Sequence, residues 1–197
     1  MRKTFLSCLL ALSMIISLLP TTAIADGGLL MSAGASGGTT YYVSETGNDT
    51  ADGTDEAAPL KTITKAYSKA ADGDTICLLS DIKIVGKLVL TDSKEVTLAG
   101  NAGEAAPTIK YSWDGVTTNN LYMIEIGAES GTSTQTNITL RNLTVDAEAQ
   151  DIRCLRVCPG SQLILADGAT VRNGRAINQD GTTGTSDWGG GIVVDNG

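Results

Sequence analysis

The sequence predicts an all-β solenoid that begins with one short helix, and three observations support this fold class. Short segments of alternating apolar residues recur through the second half of the chain, whereas helix signals are nearly absent after residue 71. The 197 residues include 23 glycines and one phenylalanine, so the core must be aliphatic and the turns must be tight. One amphipathic stretch precedes the alternating segments, where a helix would fit.

The first 25 residues form a segment of their own. Arg2 and Lys3 precede the apolar run FLSCLLALSMIISLLP, and Ala23 and Ala25 then give the small-residue pattern of a cleavage site. The sequence therefore predicts a signal peptide at 1–25 and a secreted or cell-surface protein. We expect no membrane span after cleavage, because no later apolar stretch is long enough to cross a bilayer.

The stretch after the linker is TTYYVSETGNDTADGTDEAAPLKTITKAYSKAADGDTICLLSD. It resembles the N-terminal opening of right-handed parallel β-helix proteins of the pectin-lyase-like type. Those proteins open with a strand like YYVS, a glycine- and aspartate-rich loop ending in D-G-T, a P-[LF]-x-T-I-x-x-A segment and G-D-T-I. The matching residues are Tyr41–Val43, Gly47, Asp49, Asp52–Thr54, Pro59, Leu60, Thr62, Ile63, Ala66 and Gly73–Ile76. The resemblance implies a right-handed parallel β-helix.

The spacing of apolar residues predicts a helix near 59–71. Ile63, Ala66, Tyr67 and Ala70 follow the i, i+3, i+4, i+7 pattern of one apolar helix face. A short helix of this kind would cover the first coil of a solenoid, which otherwise exposes core side chains and unpaired strand edges.

The loop before this helix carries four carboxylates, Asp49, Asp52, Asp55 and Glu56. Aspartate, asparagine and glycine are the ordinary residues of turns, so we expect a structural loop. A calcium site is the alternative, because the side chains supply oxygen ligands, although their spacing does not follow an EF-hand.

Three later segments share one pattern, in which two alternating apolar pairs flank a polar corner. They are KLVLTDSKEVTLAG at 87–100, NITLRNLTVDA at 137–147 and QLILADGATVRNG at 162–174. Leu88, Ile138 and Leu163 then recur at intervals of 50 and 25 residues, which suggests a coil of about 25 residues. We expect these three side chains to stack on one interior face. A β-sandwich is the alternative, but hairpin signals are scarce.

Three cysteines follow the predicted signal peptide. Cys154 and Cys158 bound the strand-like segment CLRVC, and four residues of strand span about 13 Å, too far for a disulfide. We expect these two residues and Cys77 to be buried thiols that act as small hydrophobic side chains. A disulfide is the alternative, and a metal site without histidine is less favoured.

Near the end of the chain, Gly189–Ile192 reads GGGI. This stretch resembles coils of surface-exposed β-helix proteins, including adhesin-like and polymorphic outer-membrane-type repeats. The usual companion element F-x-x-N is missing, although Val171–Asn173 occupies a similar place. This resemblance indicates the fold of the segment rather than its biological role.

The pectin-lyase-like family includes pectate lyases and polygalacturonases, but the chain has no histidine, the commonest general base. The closest approximation to a lyase site is the group Asp146, Glu148, Asp151, Arg153 and Arg156. A solvated loop followed by a strand with outward arginines explains the same residues. We therefore predict no catalytic, cofactor-binding or metal-binding residues, with calcium kept as the alternative.

Other residues with chemical interest have ordinary explanations. Asp180 and Asp187 flank a Gly- and Thr-rich loop and are expected to be turn residues. Four aromatic side chains could stack on sugars, namely Trp113, Trp188, Tyr111 and Tyr122. A small number of aromatic residues in loops is, however, common in proteins that bind no sugar. The net charge of −8 at pH 7 repels phosphate backbones, so we expect no nucleic-acid partner.

The sequence divides into a signal peptide at 1–25, a flexible linker at 26–39, an opening strand, loop and capping helix at 40–74, and β-helix coils at 75–197. The last coil is followed by no helix or polar closing segment. We therefore expect a chain cut short in mid-coil, further coils of the same polypeptide beyond Gly197, and association through the open end.

The function expected from these features is that of a secreted or cell-surface bacterial β-helix protein. It would serve as a structural or adhesive module, or as a carbohydrate-binding module, and its partners would be polysaccharides or ligands on a host or cell surface. The alternative is the non-catalytic N-terminal part of a polysaccharide lyase or glycoside hydrolase of the pectin-lyase-like fold.

Overall fold

A computed structural model describes residues 38–112, 122–128, 135–150, 152–175 and 190–195, all within the compact unit Ser36–Gly197. These residues form thirteen strands and one helix. Sheet A consists, in spatial order, of β1 (Thr40–Val43), β2 (Asp74–Leu78), β5 (Glu95–Gly100), β8 (Asn137–Arg141) and β11 (Gln162–Leu165). Sheet B consists of β3 (Ile82–Val85), β6 (Thr108–Ser112), β9 (Thr144–Asp146) and β12 (Thr170–Arg172). Sheet C consists of β4 (Leu88–Leu90), β7 (Tyr122–Ile126), β10 (Arg153–Val157) and β13 (Ile192–Val194).

From β2 onward, the chain visits sheets A, B and C in that order four times. Every strand pair within the described residues is parallel. The molecule is therefore a mostly β protein of parallel sheets with one short helix, as the all-β prediction required. The sandwich alternative is wrong for the described residues, because a sandwich needs antiparallel hairpins.

The parallel register lines up aliphatic side chains from strand to strand, and nearly all of them are buried until the outermost strand of each sheet is reached. The columns in sheet A are Val96–Ile138–Leu163 and Ile76–Leu98–Leu140–Leu165. The main column in sheet B is Ile82–Ile109–Val145–Val171. Those in sheet C are Leu88–Ile124–Leu155–Ile192 and Leu90–Ile126–Val157–Val194. Burying each such side chain contributes about 1.5–3 kcal/mol.

The expected stack of Leu88, Ile138 and Leu163 is partly wrong. Ile138 does lie beside Leu163 in sheet A, but its other neighbour is Val96. Leu88 belongs to sheet C and lies beside Ile124. The repeats were aligned out of phase, because residues 87–100 span the corner from sheet C to sheet A whereas the two later segments span the corner from A to B. Alternation alone cannot tell one corner from the other.

The helix α1 is Ile63–Lys69, shorter than the predicted 59–71. Its buried face consists of the predicted residues Ile63, Ala66 and Tyr67. The helix begins late because Leu60 forms an isolated parallel bridge with Val43 of β1.

The opening loop covers the outer edge of β1. Tyr42 donates its backbone N–H to Gly53 at 2.7 Å and accepts from the N–H of Leu60 at 2.8 Å. Gly47 lies so close to the Leu60 carbonyl that a Cβ at this position would be 2.2 Å from its oxygen. Covering this edge protects sheet A from pairing with other chains.

The predicted signal peptide and nearly all of the predicted linker lie outside the described residues. No helix within the described residues is long and apolar enough to cross a membrane.

Cys77, Cys154 and Cys158 are buried free thiols, as expected. Burial raises the pKa of the Cys154 thiol to about 11 and also raises the pKa of Cys77. Both side chains therefore pack as neutral groups at physiological pH.

Substitution of two aspartates in the opening loop, Asp49 and Asp52, tests how this loop is held in place. Asp49 Oδ1 accepts the N–H groups of Lys61 and Thr62, each at 2.9 Å, and Oδ2 accepts the Thr62 hydroxyl at 2.8 Å. Asp49→Ala should lower the free energy of unfolding by about 1–3 kcal/mol, because it leaves two backbone donors without their acceptor. Urea denaturation measures this change.

The matched control is Asp52→Ala. The Asp52 side chain is 98% exposed, and its Oδ1 lies 3.8 Å from Lys69 Nζ. This substitution should change stability by less than about 0.5 kcal/mol. Equal losses from the two substitutions would contradict a specific bracing role for Asp49.

Candidate functional site

The carboxylates of the opening loop do not converge on one point. Asp49 accepts hydrogen bonds from the backbone N–H groups of Lys61 and Thr62, and Asp55 Oδ1 accepts the backbone N–H of Ala57 at 2.9 Å. Burial alone would raise the pKa of the Asp49 carboxyl, but hydrogen bonds from Thr62 and Lys61 hold that pKa below its usual value. The described residues contain no group of three or more His, Cys, Asp or Glu placed to hold a metal ion.

The lyase-like group centres on Asp146, which is the last residue of β9 and is 6% exposed. Its Oδ1 accepts the Glu148 N–H and the Asn173 amide, and its Oδ2 accepts the Arg172 Nε, each at 2.8 Å. Glu148 and Ala149 both have positive φ, so the chain turns sharply here towards β10. The carboxylate thus holds a corner together and binds two side chains of the following coil.

The two arginines of this group lie on β10 in sheet C. Arg153 is buried, contrary to the outward position that the sequence suggested, and its guanidinium carbon lies 5.6 Å from the centroid of the Tyr122 ring. The guanidinium carbon of Arg156 lies 5.3 Å from the same centroid. Cation–π attraction to one aromatic ring is worth about 0.5–2 kcal/mol per arginine. Asp151 lies outside the described residues.

Arg156 belongs to a set of four charged side chains that we call the sheet C charge network: Lys87, Glu125, Arg156 and Asp195. Glu125 Oε2 accepts Lys87 Nζ at 2.9 Å and Arg156 Nη1 at 3.3 Å. Asp195 Oδ2 accepts Arg156 Nε at 2.7 Å and lies 2.6 Å from Nη2. Since Glu125 is only 5% exposed, removing its partners would leave a buried charge.

The outer face of sheet B carries two polar columns on either side of the buried aliphatic one. The first contains Thr108, Thr144 and Thr170, and the second contains Lys83, Lys110, Asp146 and Arg172. We call these seven residues the sheet B outer face. Neighbouring members stand one strand apart, about 4.8 Å. This face therefore presents hydroxyls and cationic side chains at a regular spacing, whereas the carboxylate of Asp146 is buried within it.

Several residues that shape these sites were missed from the sequence. Glu125 sits between isoleucines in the segment LYMIEIG, where alternation marks it as outward but nothing indicates that it is buried. Its partners are Lys87, just before β4, and Arg156 of β10, and these strands flank β7 in sheet C; Arg156 in turn binds Asp195. Only the strand register could have brought these residues together.

The other sequence candidates separate into two groups. Tyr111 is buried beside Ile84 in sheet B and is not available to stack on a sugar, whereas Tyr122 is half-buried beside its two arginines. The remaining candidates lie outside the described residues: Trp113, Asp180, Asp187 and Trp188.

Comparison of the chain with protein-family models, with curated proteins and with solved structures finds no match.

Acid titration tests the role of Asp146. Burial by itself raises the pKa of this carboxyl, but hydrogen bonds from Asn173, the Glu148 N–H and Arg172 outweigh it and lower the pKa below the usual value. The stabilisation is therefore present above the unfolded pKa of about 3.9 and is lost as the pH falls through the lower folded pKa. Asp146→Asn should reduce the free energy of unfolding at pH 7 by about 1–3 kcal/mol and flatten its acid dependence.

Asn173→Gly is the companion variant, because Asn173 has a φ of 59° and glycine adopts this conformation without strain. Losing the amide donor should raise the pKa of Asp146, as followed by carboxyl NMR. An Asp146 pKa at or above the unfolded value in the unaltered chain would contradict this account.

Proposed function

We propose that the chain is a right-handed parallel β-helix of the pectin-lyase-like kind, and that it works as a secreted or cell-surface binding module. The observation that carries this proposal is the repeated passage from sheet A to B to C in parallel register. Coils stacked in this way form a solenoid, whose outer faces are long, regular and suited to extended ligands. The opening motif at 40–76 and the predicted signal peptide at 1–25 agree with this assignment.

The ligand that fits best is a polysaccharide with many free hydroxyls. The sheet B outer face offers threonine hydroxyls beside the ammonium groups of Lys83 and Lys110, and both kinds of group form hydrogen bonds with sugar hydroxyls. Its cations are largely neutralised within the protein, since Lys110 Nζ is 2.6 Å from Asp81 and Arg172 Nε is 2.8 Å from Asp146. Together with the acidic net charge, this favours a neutral polymer over an acidic one.

The alternative function is the non-catalytic N-terminal part of a polysaccharide lyase or glycoside hydrolase. The closeness of Asp146, Arg153 and Arg156 in the sequence, with both arginines against the Tyr122 ring, is what favours it. Against it, Asp146 already accepts three hydrogen bonds and Arg156 is bound to two carboxylates. A base held by such partners is poorly placed to take a proton from a substrate.

Retention of the purified chain on immobilised polysaccharides tests the binding function. A neutral glucan should retain the chain more strongly than polygalacturonate. The double substitution Lys83→Ala with Lys110→Ala should weaken retention on the glucan about tenfold, a loss of about 1.4 kcal/mol.

Lys61→Ala is the matched control, because Lys61 is also exposed but lies outside the sheet B outer face. This variant should bind like the unaltered chain. Retention by neither polymer, or equal weakening in both variants, would contradict carbohydrate binding at this face.

An assay for unsaturated sugar products tests the alternative function, that of a polysaccharide lyase. With polygalacturonate and calcium, we expect no rise in product absorbance. A rise that is abolished by a chelator and by Arg153→Ala would favour the lyase function instead.

A further inference from the structure

The outer face of sheet A, which the proposed function does not use, carries a column of four threonines: Thr40, Thr75, Thr97 and Thr139. They lie beside one another in the parallel register of β1, β2, β5 and β8. Along these strands they alternate with residues of the core, so their side chains point outward. The next strand, β11, places Ile164 in the same row. We call the four residues the sheet A threonine column.

The hydroxyls of this column are available to a ligand. All four threonines are half-buried, and within the described residues no hydrogen bond joins their hydroxyls to another group of the protein. Each hydroxyl can donate one hydrogen bond and accept two. Neighbouring members stand about 4.8 Å apart, so the column spans about 14 Å across the strands.

The strand propensity of threonine explains a single member of the column but not the whole column. A strand face that only meets water usually carries lysine and glutamate. Such charges do occupy an outer column in each of the other two sheets, as Lys110 in sheet B and Glu125 in sheet C show. Four hydroxyls in successive strands therefore mark the outer face of sheet A as chemically different.

The columns on either side of the threonines offer no excess of positive charge. One contains Glu95, Asn137 and Gln162, and the other begins at Tyr42 and ends at Arg141. A charged polymer would lose hydration here without gaining an opposite charge. An uncharged polymer with many hydroxyls finds hydroxyl and amide groups that both donate and accept hydrogen bonds.

Further charges that act on this face are acidic. Burial raises the pKa of the Cys77 thiol, which lies between Tyr42 and Arg141 in their column, and the charges of Glu56 and Glu104 raise it further, while Arg141 opposes them. An acidic polysaccharide would therefore be repelled from this side of the molecule, and the charges favour an uncharged one.

We propose that the sheet A threonine column binds an extended, uncharged polysaccharide that lies across the strands. Successive sugars meet successive threonines, because one sugar of an extended β-linked glucan is about as long as one strand spacing. The ring of Tyr42, half-buried at the end of the neighbouring column, offers an apolar surface to one sugar. The inference rests on the proposed function for its class of ligand, but it assigns a second site, separate from the sheet B outer face.

Calorimetric titration of the full chain with a soluble, linear β-linked glucan oligosaccharide, long enough to span the column, tests this site. Thr97→Val combined with Thr139→Val removes two hydroxyls and keeps the branched shape that suits a strand. The dissociation constant should rise about tenfold, since two hydrogen bonds of ordinary strength are lost. The matched control is Thr50→Val with Thr54→Val, two exposed threonines of the opening loop, which should bind like the unaltered chain.

Repeating the titration in the chain that carries Lys83→Ala and Lys110→Ala separates the two sites. Valines that change nothing in either background would overturn the sheet A site and leave the proposed function standing. Weakening by the valines but not by the lysine substitutions would support sheet A and count against the sheet B outer face. A chain that does not bind the glucan would overturn both, and tighter binding of an oligogalacturonate of equal length would overturn the uncharged ligand.

Amide NMR of the unaltered chain keeps the test decisive if the valine variant fails to fold, as judged by circular dichroism. Addition of the same glucan oligosaccharide should shift the amide signals of Thr75, Thr97 and Thr139. Shifts confined to the strands of sheets B and C would overturn the proposal.

Discussion

The structure depends on one constraint, the parallel register. It places aliphatic side chains of neighbouring strands next to one another. A slip by one residue would exchange the two faces of a strand and expose a whole column of aliphatic side chains. Val96, Ile138 and Leu163 illustrate the arrangement, since each completes the burial of its neighbour. Pairing between neighbouring strands therefore supplies much of the apolar burial that stabilises the fold.

The corners between sheets are held by aspartates that accept backbone N–H groups. Asp72 accepts from Glu95, and Asp81 accepts from Thr108, at 2.7 and 2.8 Å. Asp74 is buried and joins the N–H groups of Thr39 and Ala71. The acidic composition therefore has a structural use, because these side chains fix the turns that set the register. Charged ladders on the outer faces add bonds between successive coils, as Asp146 does with Arg172.

Much of this fold could be predicted from the sequence, but the site could not. Alternation identified most strands, and the spacing of Ile63, Ala66 and Tyr67 identified the face of α1. The predicted alignment of the repeats was wrong at Leu88. Insertions such as 101–107 make successive repeats unequal in length, and the alternation of apolar residues does not indicate which sheet a strand joins. The sheet C charge network was invisible for a related reason, since Glu125 meets Lys87 and Arg156 only through the register.

A double-mutant cycle on core residues tests the register most directly. Val96→Ala and Ile138→Ala, which alter neighbours in one column, should show a coupling energy of about 0.5–3 kcal/mol in urea denaturation. Leu88 and Ile138 lie in different sheets and are not neighbours in any column, so the two alanine substitutions there should show the smaller coupling energy. A coupling between Leu88 and Ile138 that exceeds the one between Val96 and Ile138 would contradict the register and the fold built on it.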